Sequence, residues 1–292
     1  MHSNKILHLI SQGPDSVLEV LKSQVGLSED RSRELFNLGA LYLNKERIYD
    51  PETRLQAGDY LRIHSDPRRY QKPEKLKDCL LKETADWWIV DKPSGISCHA
   101  TVDNGIENLI AWLSADLNTH FHITHRLDVP TSGCLVLGKT PESVRKFNKL
   151  QMNDLVQKEY EALVEGHLTL KGLVTHWMKK DQWAPREVYA DERAETQRCD
   201  LEILESERLG DVTRLRIRLL TGRTHQIRAQ MKLLGHPVLN DVMYGARRLR
   251  EGEVIALRAR MLAIETEPAH VLRVEAPIDW KPWLNQFRPD EA

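Results

Sequence analysis

The sequence predicts an α+β protein in which a small first domain is joined by a polar linker to a larger domain of strands and interspersed helices. Three observations carry that expectation. The chain has 292 residues, enough for about two domains at roughly 150 residues each. A polar run from Ser65 to Lys77, holding Pro67, Pro73 and five Lys or Arg, separates two stretches of apolar periodicity. Beyond it, short apolar strand-like runs alternate with helical patterns, without another such interruption and without an internal repeat. The expected division is therefore a first domain over residues 1–66, a linker over 67–79 and a second domain over 80–292.

Each element has a local cause. Ser16 to Val25 carries a helical apolar pattern through Val17, Leu18, Val20 and Leu21, and Gly26 can end it. Ser28 can cap a second helix whose first turn holds Glu29 and Asp30, where the helix dipole favours acids. Arg31 stands where a capping box wants Glu or Gln, and Gly39 stops the helix. Residues 40–48 read as a strand and turn, and Tyr60-Leu61-Arg62-Ile63 as a further strand. In the second domain, Trp87-Trp88-Ile89-Val90 and Cys134-Leu135-Val136-Leu137 look like buried strands. Leu215 to Leu219 alternates apolar residues with arginines, as a half-buried strand requires. Pro141, after a possible Thr140 cap, opens a helix to about Met152, and a second helix is expected from about Thr224 to Leu234 with Gly235 as its stop.

Composition narrows the class. Apolar residues make up 41% and charged residues 29%, a globular balance that excludes disordered and collagen-like chains. No window approaches the roughly 18 uninterrupted apolar residues of a membrane span. The start, Met1-His2-Ser3-Asn4-Lys5, lacks the basic region and apolar core of a signal peptide. Four cysteines without CxxC spacing suit a reduced chain with neither a disulfide framework nor structural zinc. The expected location is cytoplasmic. A net charge of −1 names no partner, but its distribution does. Arg214 to Arg260 holds eleven Lys or Arg against three acids, whereas Asp181 to Asp211 holds ten acids against four arginines. A basic stretch of this kind suggests a polyanion track.

Three segments are more polar than packing demands. His122 to Gly133 gathers His125, Arg126, Asp128, Thr131 and Ser132 on a loop fixed by Pro130 and Gly133. Thr221-Gly222-Arg223-Thr224-His225-Gln226-Ile227-Arg228 turns into a helix start whose free amides favour an anion. Arg228, one turn in, can reach a phosphate or hold a carboxylate. Lys158-Glu159-Tyr160 opens a probable strand.

Together these segments resemble the RluA-type RNA pseudouridine synthases. His125-Arg126-Leu127-Asp128 with Thr131-Ser132-Gly133 is similar to the family's catalytic motif, and Lys158-Glu159-Tyr160 to its K-x-Y motif. Leu220 to Arg228, continuing through Gly235-His236-Pro237 to Asp241 and Tyr244-Gly245, resembles its third signature. Asp91-Lys92-Pro93-Ser94-Gly95 matches its D-K-P-x-G turn. The resemblance implies a mixed, mainly antiparallel sheet flanked by helices, and isomerisation of uridine to pseudouridine in RNA without cofactor or metal. It implies Asp128 as the carboxylate acting at the ribose, Tyr160 against the base, and Arg228 paired with Asp128. Arg126 would fill the space left by an extruded uridine, since extrusion costs a few kcal/mol. His125, Thr131, Arg223, Thr224, His225 and Gln226 are the expected substrate contacts. Residues 31–63 resemble the alpha-L RNA-binding domain, although Lys45 follows Asn44 where that domain carries glycine. This domain favours large-subunit ribosomal RNA over transfer RNA as substrate, and a monomer is the default.

Two departures and three rivals belong beside the resemblance. Leu257-Arg258-Ala259 stands where the family shows a Leu-His-Ala run, and residues 167–200, with Trp177 and Trp183, match only loosely. His120, His122 and His125 invite a metal-hydrolase reading, but on a strand His125 points away from the other two. Ser132 lacks the nucleophile-elbow glycines of a serine hydrolase. A non-catalytic RNA-binding protein would be suggested by loss of Asp128 or Arg228, and both are intact.

Overall fold

The computed structural model describes residues 5–252, 254–267 and 270–286. Met1–Asn4 of the leader reading, and residues 287–292 of the expected second domain, lie outside them. The chain forms two compact units, the first made of residues up to Glu74 together with His99–Thr119, the second of Lys75–Cys98 and His120 onward.

The first unit contains β1 (Ile6–Ile10), α1 (Val17–Ser23), α2 (Glu29–Leu38), β2 (Leu41–Leu43), β3 (Glu46–Ile48), β4 (Tyr60–His64) and α3 (Leu109–Leu117). Its antiparallel sheet runs β1-β4-β2-β3. Ser16 starts α1 with a full capping box to Glu19, Ser28 caps α2 through the Arg31 N–H, and Gly39 ends α2 in the left-handed region. Val17, Leu21, Leu35, Phe36, Leu41 and Ile63 form the core. The β2–β3 turn needs positive φ at both central residues, and Asn44 (49°) and Lys45 (76°) supply it. The hairpin therefore forms with lysine in the place where the resemblance expects glycine.

The expected linker is not a linker. The Arg68 backbone N–H and guanidinium donate to the buried Asp103 at 2.8–3.0 Å. Arg69 and the Tyr70 N–H donate likewise to Glu107. These acids lie in the 99–119 segment, which the sequence placed in the second domain, so the basic run docks that segment onto the first unit. Leu76–Cys79 then form a 3-10 turn that leads directly into a strand.

The second unit is built on one eleven-stranded sheet. Its strands are β5 (Leu80–Glu83), β6 (Trp87–Lys92), β7 (His122–Ile123), β8 (Ser132–Gly138), β9 (Val156–Glu165), β10 (Gly172–Lys179), β11 (Val188–Tyr189), β12 (Thr196–Leu209), β13 (Val212–Leu219), β14 (Leu257–Glu267) and β15 (His270–Glu275). The main path runs β11-β10-β12-β13-β9-β14-β8-β6-β5, with β15 beside β14 and β7 beside β8. Pairing is antiparallel except at β8 and β14, which run parallel with Ser132 opposite Arg258 and Gly133 opposite Ala259. This is the mixed, mainly antiparallel sheet expected. Gly133 has φ +110°, and a Cβ there would lie 2.2 Å from the Ala259 carbonyl oxygen, so only glycine allows this join. Helix α4 (Pro141–Met152), capped by Thr140, buries Phe147 against Trp87 and His125. Helix α5 (Gln226–Leu233) packs Ala229 with Met178, Cys199 and Tyr244, and α6 (Lys281–Leu284) brings Trp283 into a further cluster. No helix among the described residues is long and apolar enough to cross a membrane.

Candidate active site

The Asp128 loop, between β7 and β8, is clamped by the Asp91–Gly95 turn at the end of β6. Lys92 is wholly buried, and its Nζ donates to the carbonyls of Pro93 (2.9 Å), Val129 (3.1 Å) and Thr131 (2.8 Å). Burial pushes its pKa down to about 8, which leaves it charged at neutral pH. Ser94 Oγ donates to the Pro130 carbonyl and the Gly95 N–H to that of Val129. On the other side of the carboxylate, the Leu127 N–H donates to Cys98 Sγ at 3.3 Å. Asp128 is thus flanked by fixed backbone on both sides.

Helix α5 brings the cation. Arg228, 3% exposed, donates from Nε and Nη2 to Asp241 at 2.7 and 2.9 Å, and from Nη1 to Asp128 Oδ2 at 3.2 Å. Burial opposes its charge, but the Asp241 hydrogen bonds and the Asp128 charge outweigh that and raise its pKa. Its guanidinium lies over the Tyr244 ring, 5.0 Å from the centroid. His225 closes the group, with Nε2 3.8 Å from Asp128 Oδ2 and Nδ1 3.0 Å from the Tyr244 hydroxyl. Burial lowers the pKa of His225, favouring the neutral ring. Helix α5 starts two residues later than the sequence suggests because His225 sits in the left-handed region (φ 58°), an uncommon conformation for a side chain of this size. Tyr160, on β9, is 7% exposed, and burial together with the Asp128 charge raises the pKa of its hydroxyl.

The structure thus gathers Asp128, Tyr160, Arg228 and His225. Arg126, Arg223 and Thr224 are exposed, free to meet a ligand. Three expected contacts belong to the scaffold instead. His125 stacks on Phe147, and its Nε2 takes the Val136 N–H at 3.2 Å. Gln226 uses its amide on the Asp200 carbonyl, the Thr221 hydroxyl and the Arg223 N–H, pinning the turn ahead of α5. Thr131 is 2% exposed and gives its carbonyl to Lys92. Asp241, Tyr244 and Lys92 carry much of the geometry. Each stands inside one of the motifs that carry the family resemblance. Of the rival residues, His120 and His122 lie ring to ring at 5.2 Å while His125 faces Phe147. Ser132 Oγ takes a hydrogen bond from Arg258, whose other arm reaches Asp91 at 2.5 Å.

The strand arginines of the basic stretch are paired with acids rather than open. Arg214 pairs with Glu207, Arg216 with Glu205 and Glu159, and Arg218 with Glu202 and Glu159. Arg260 meets Glu161 and Glu275. Acids from β9, β12 and β15 pair with these four strand arginines, whereas Arg223 and Lys232 of the same stretch are exposed.

A profile of the RNA pseudouridylate synthase family matches residues 86–233. The chain is 32% identical over 223 residues to RNA pseudouridine synthase 6, chloroplastic, of Oryza sativa subsp. japonica, covering 68% of this chain and 46% of that protein. It thus spans about half the length of that relative. It is 28% identical over 284 residues to ribosomal large subunit pseudouridine synthase C of Escherichia coli, covering 89% and 88% of the two chains. The human protein RNA pseudouridylate synthase domain containing 1 superposes with a TM-score of 0.56 at 25% identity, over 73% of this chain and 89% of that one. With the four motifs and their shared geometry in place, the chain belongs to the RluA-type RNA pseudouridylate synthases.

Proposed function

We propose that this chain isomerises uridine to pseudouridine within RNA, with Asp128 as the carboxylate that acts at the ribose. The single observation that carries this is the Asp128–Arg228–Asp241 arrangement. A buried arginine, oriented by two bonds to Asp241, holds its remaining arm on Asp128, the one of the two carboxylates that is open to solvent. Such a fixed cation keeps a carboxylate aimed while a base fills the space beside it. The reaction breaks the bond from the ribose to N1, turns the uracil, joins C5 to the ribose and moves the C5 proton, so no atom is gained or lost and no cofactor is called for. Tyr160 lies against the base, neutral at working pH. His225, also neutral, gives Nε2–H toward Asp128 while Nδ1 takes the Tyr244 hydroxyl. Arg126, exposed on the same loop, fills the gap in the RNA stack once the uridine leaves it.

Ribosomal RNA of the large subunit is the favoured substrate. It is supported by the Escherichia coli relative, a ribosomal large subunit pseudouridine synthase, and by the alpha-L-like first unit, to which we assign RNA anchoring. Transfer RNA is the alternative, and a cytoplasmic monomer is the working form. Pseudouridines in ribosomal and transfer RNA are mapped by carbodiimide-based primer extension from cells with and without the gene. One or a few sites are lost, and the wild type restores them while Asp128→Asn, folded and RNA-binding, does not. Restoration by Asp128→Asn overturns the assignment.

A further inference from the structure

A groove of about 890 Å³ runs along the flank of α5, outside the Asp128 site. One wall is Ala229, Lys232 and Leu233 of α5, and the other is the arm between β10 and β11, residues 180–187. Trp183, on that arm, is 88% exposed, an unusual cost for a large apolar ring in water unless something covers it.

The arm is tied down. Arg186 donates from its guanidinium to the carbonyls of Gln182 and Lys179, and the Glu187 N–H donates to Gln182 Oε1 at 2.8 Å. The Arg186 N–H donates to the Tyr244 hydroxyl at 2.8 Å, and this is the hydroxyl that meets His225. The arm that carries Trp183 is therefore anchored to the tyrosine that meets His225. Helix geometry adds a second link, since Lys232 lies one turn beyond Arg228 on the same helix face. The groove's charge is net positive. Lys179, Lys180, Arg186 and Lys232 face only Asp181 and Glu187, with Lys179 3.7 Å from Glu187.

We propose that this groove is a second RNA-binding site, which takes the single-stranded nucleotides beside the target uridine. One base stacks on Trp183, and Lys180 and Lys232 meet its flanking phosphates. This rests on the reading of the chain as an RNA-modifying enzyme. Pulling a uridine out of its stack leaves its neighbours without partners, and an exposed indole beside cations is what an unstacked nucleotide binds, whatever its sequence.

The test uses the full chain, a fluorescein-labelled oligouridylate and fluorescence anisotropy. Trp183→Ala raises Kd by about tenfold, because one stacked base is worth about five-fold to over a hundred-fold in affinity. Trp183→Phe keeps most of the affinity, and the melting temperatures of both variants match the wild type. Lys180→Ala with Lys232→Ala flattens the salt dependence by about one unit of slope per lysine. On a ribosomal RNA transcript, Trp183→Ala raises KM and leaves kcat in place. Oligouridylate binding by Trp183→Ala equal to wild type overturns the groove. If the wild type has no turnover on any RNA, yet its oligouridylate binding depends on Trp183, the groove stands and the proposed activity falls.

Discussion

Asp241→Asn isolates the buried ion pair on which the site depends. Asp241 and Arg228 have side chains only 1% and 4% exposed and share two bonds of 2.7 and 2.9 Å. Asparagine keeps the shape but removes the charge, and it turns an amide donor toward a guanidinium that is itself only a donor. Arg228 is then a buried cation whose sole remaining anion among the described residues is Asp128, at 3.2 Å. Breaking one side of a buried pair costs about 3–5 kcal/mol, and at 2–4 °C per kcal/mol for a unit of this size the melting temperature falls by roughly 6 to 20 °C. Turnover falls at least about tenfold, because the arm that aims Asp128 loses its anchor. Calorimetric melts, with kcat on an RNA substrate, read both effects. The double change Arg228→Met with Asp241→Leu removes both charges. It recovers much of the melting temperature and none of the activity, since well-packed apolar pairs often match buried ion pairs in stability. A melting temperature for Asp241→Asn within about 2 °C of wild type, or a double variant less stable than the single one, refutes this account.

Two further variants probe the frame around the carboxylate. Lys92→Met leaves the carbonyls of Pro93 and Thr131 without their donor, while that of Val129 keeps the Gly95 N–H, which costs about 2 kcal/mol or more at roughly 1–3 kcal/mol per buried orphan. Because the folded lysine releases its proton near pH 8 and the unfolded one near 10.5, the unfolded chain binds more protons between those values. Wild-type stability therefore rises relative to Lys92→Met through that window, and melts of both proteins at either end of it check the sign; a constant gap refutes it. Tyr244→Phe removes the hydroxyl shared by the Arg186 N–H and His225 Nδ1. Stability drops by about 1–3 kcal/mol and kcat falls as the His225 ring loses its orientation. A kcat equal to wild type removes His225 from the positioning of Asp128.

What could be read in the sequence depended on how local its cause was. Ser28, Gly39 and Thr140 act within one helical turn, and each performs its expected capping or stop. Asp128 and Arg228 lie a hundred residues apart, and only the motif resemblance paired them; the structure places them 3.2 Å apart. Asp241, Tyr244 and Lys92 were visible as letters of those motifs, but their work is done through partners that only the tertiary fold supplies. The same cause undid three expectations. The strand arginines of the basic run at 214–260 paired with acids on neighbouring strands. Gln226 and His125 found scaffold partners far along the chain. Residues 99–119 joined the first unit through Asp103 and Glu107, whose arginine partners sit more than thirty positions earlier.

The parallel join of β8 to β14 has a consequence for the order in which the protein can become active. Gly133, five residues from Asp128, lies against Ala259, and Ser132 lies against Arg258. Arg228 and Asp241 are also made long after Asp128. During synthesis, which proceeds from the N-terminus, the Asp128 loop leaves the ribosome with neither its cation nor the strand that closes beside it. A nascent chain lacking β14 has an unfinished carboxylate site. The Asp128 site is therefore completed only once β14 has been made, and the proposed activity waits on that late strand.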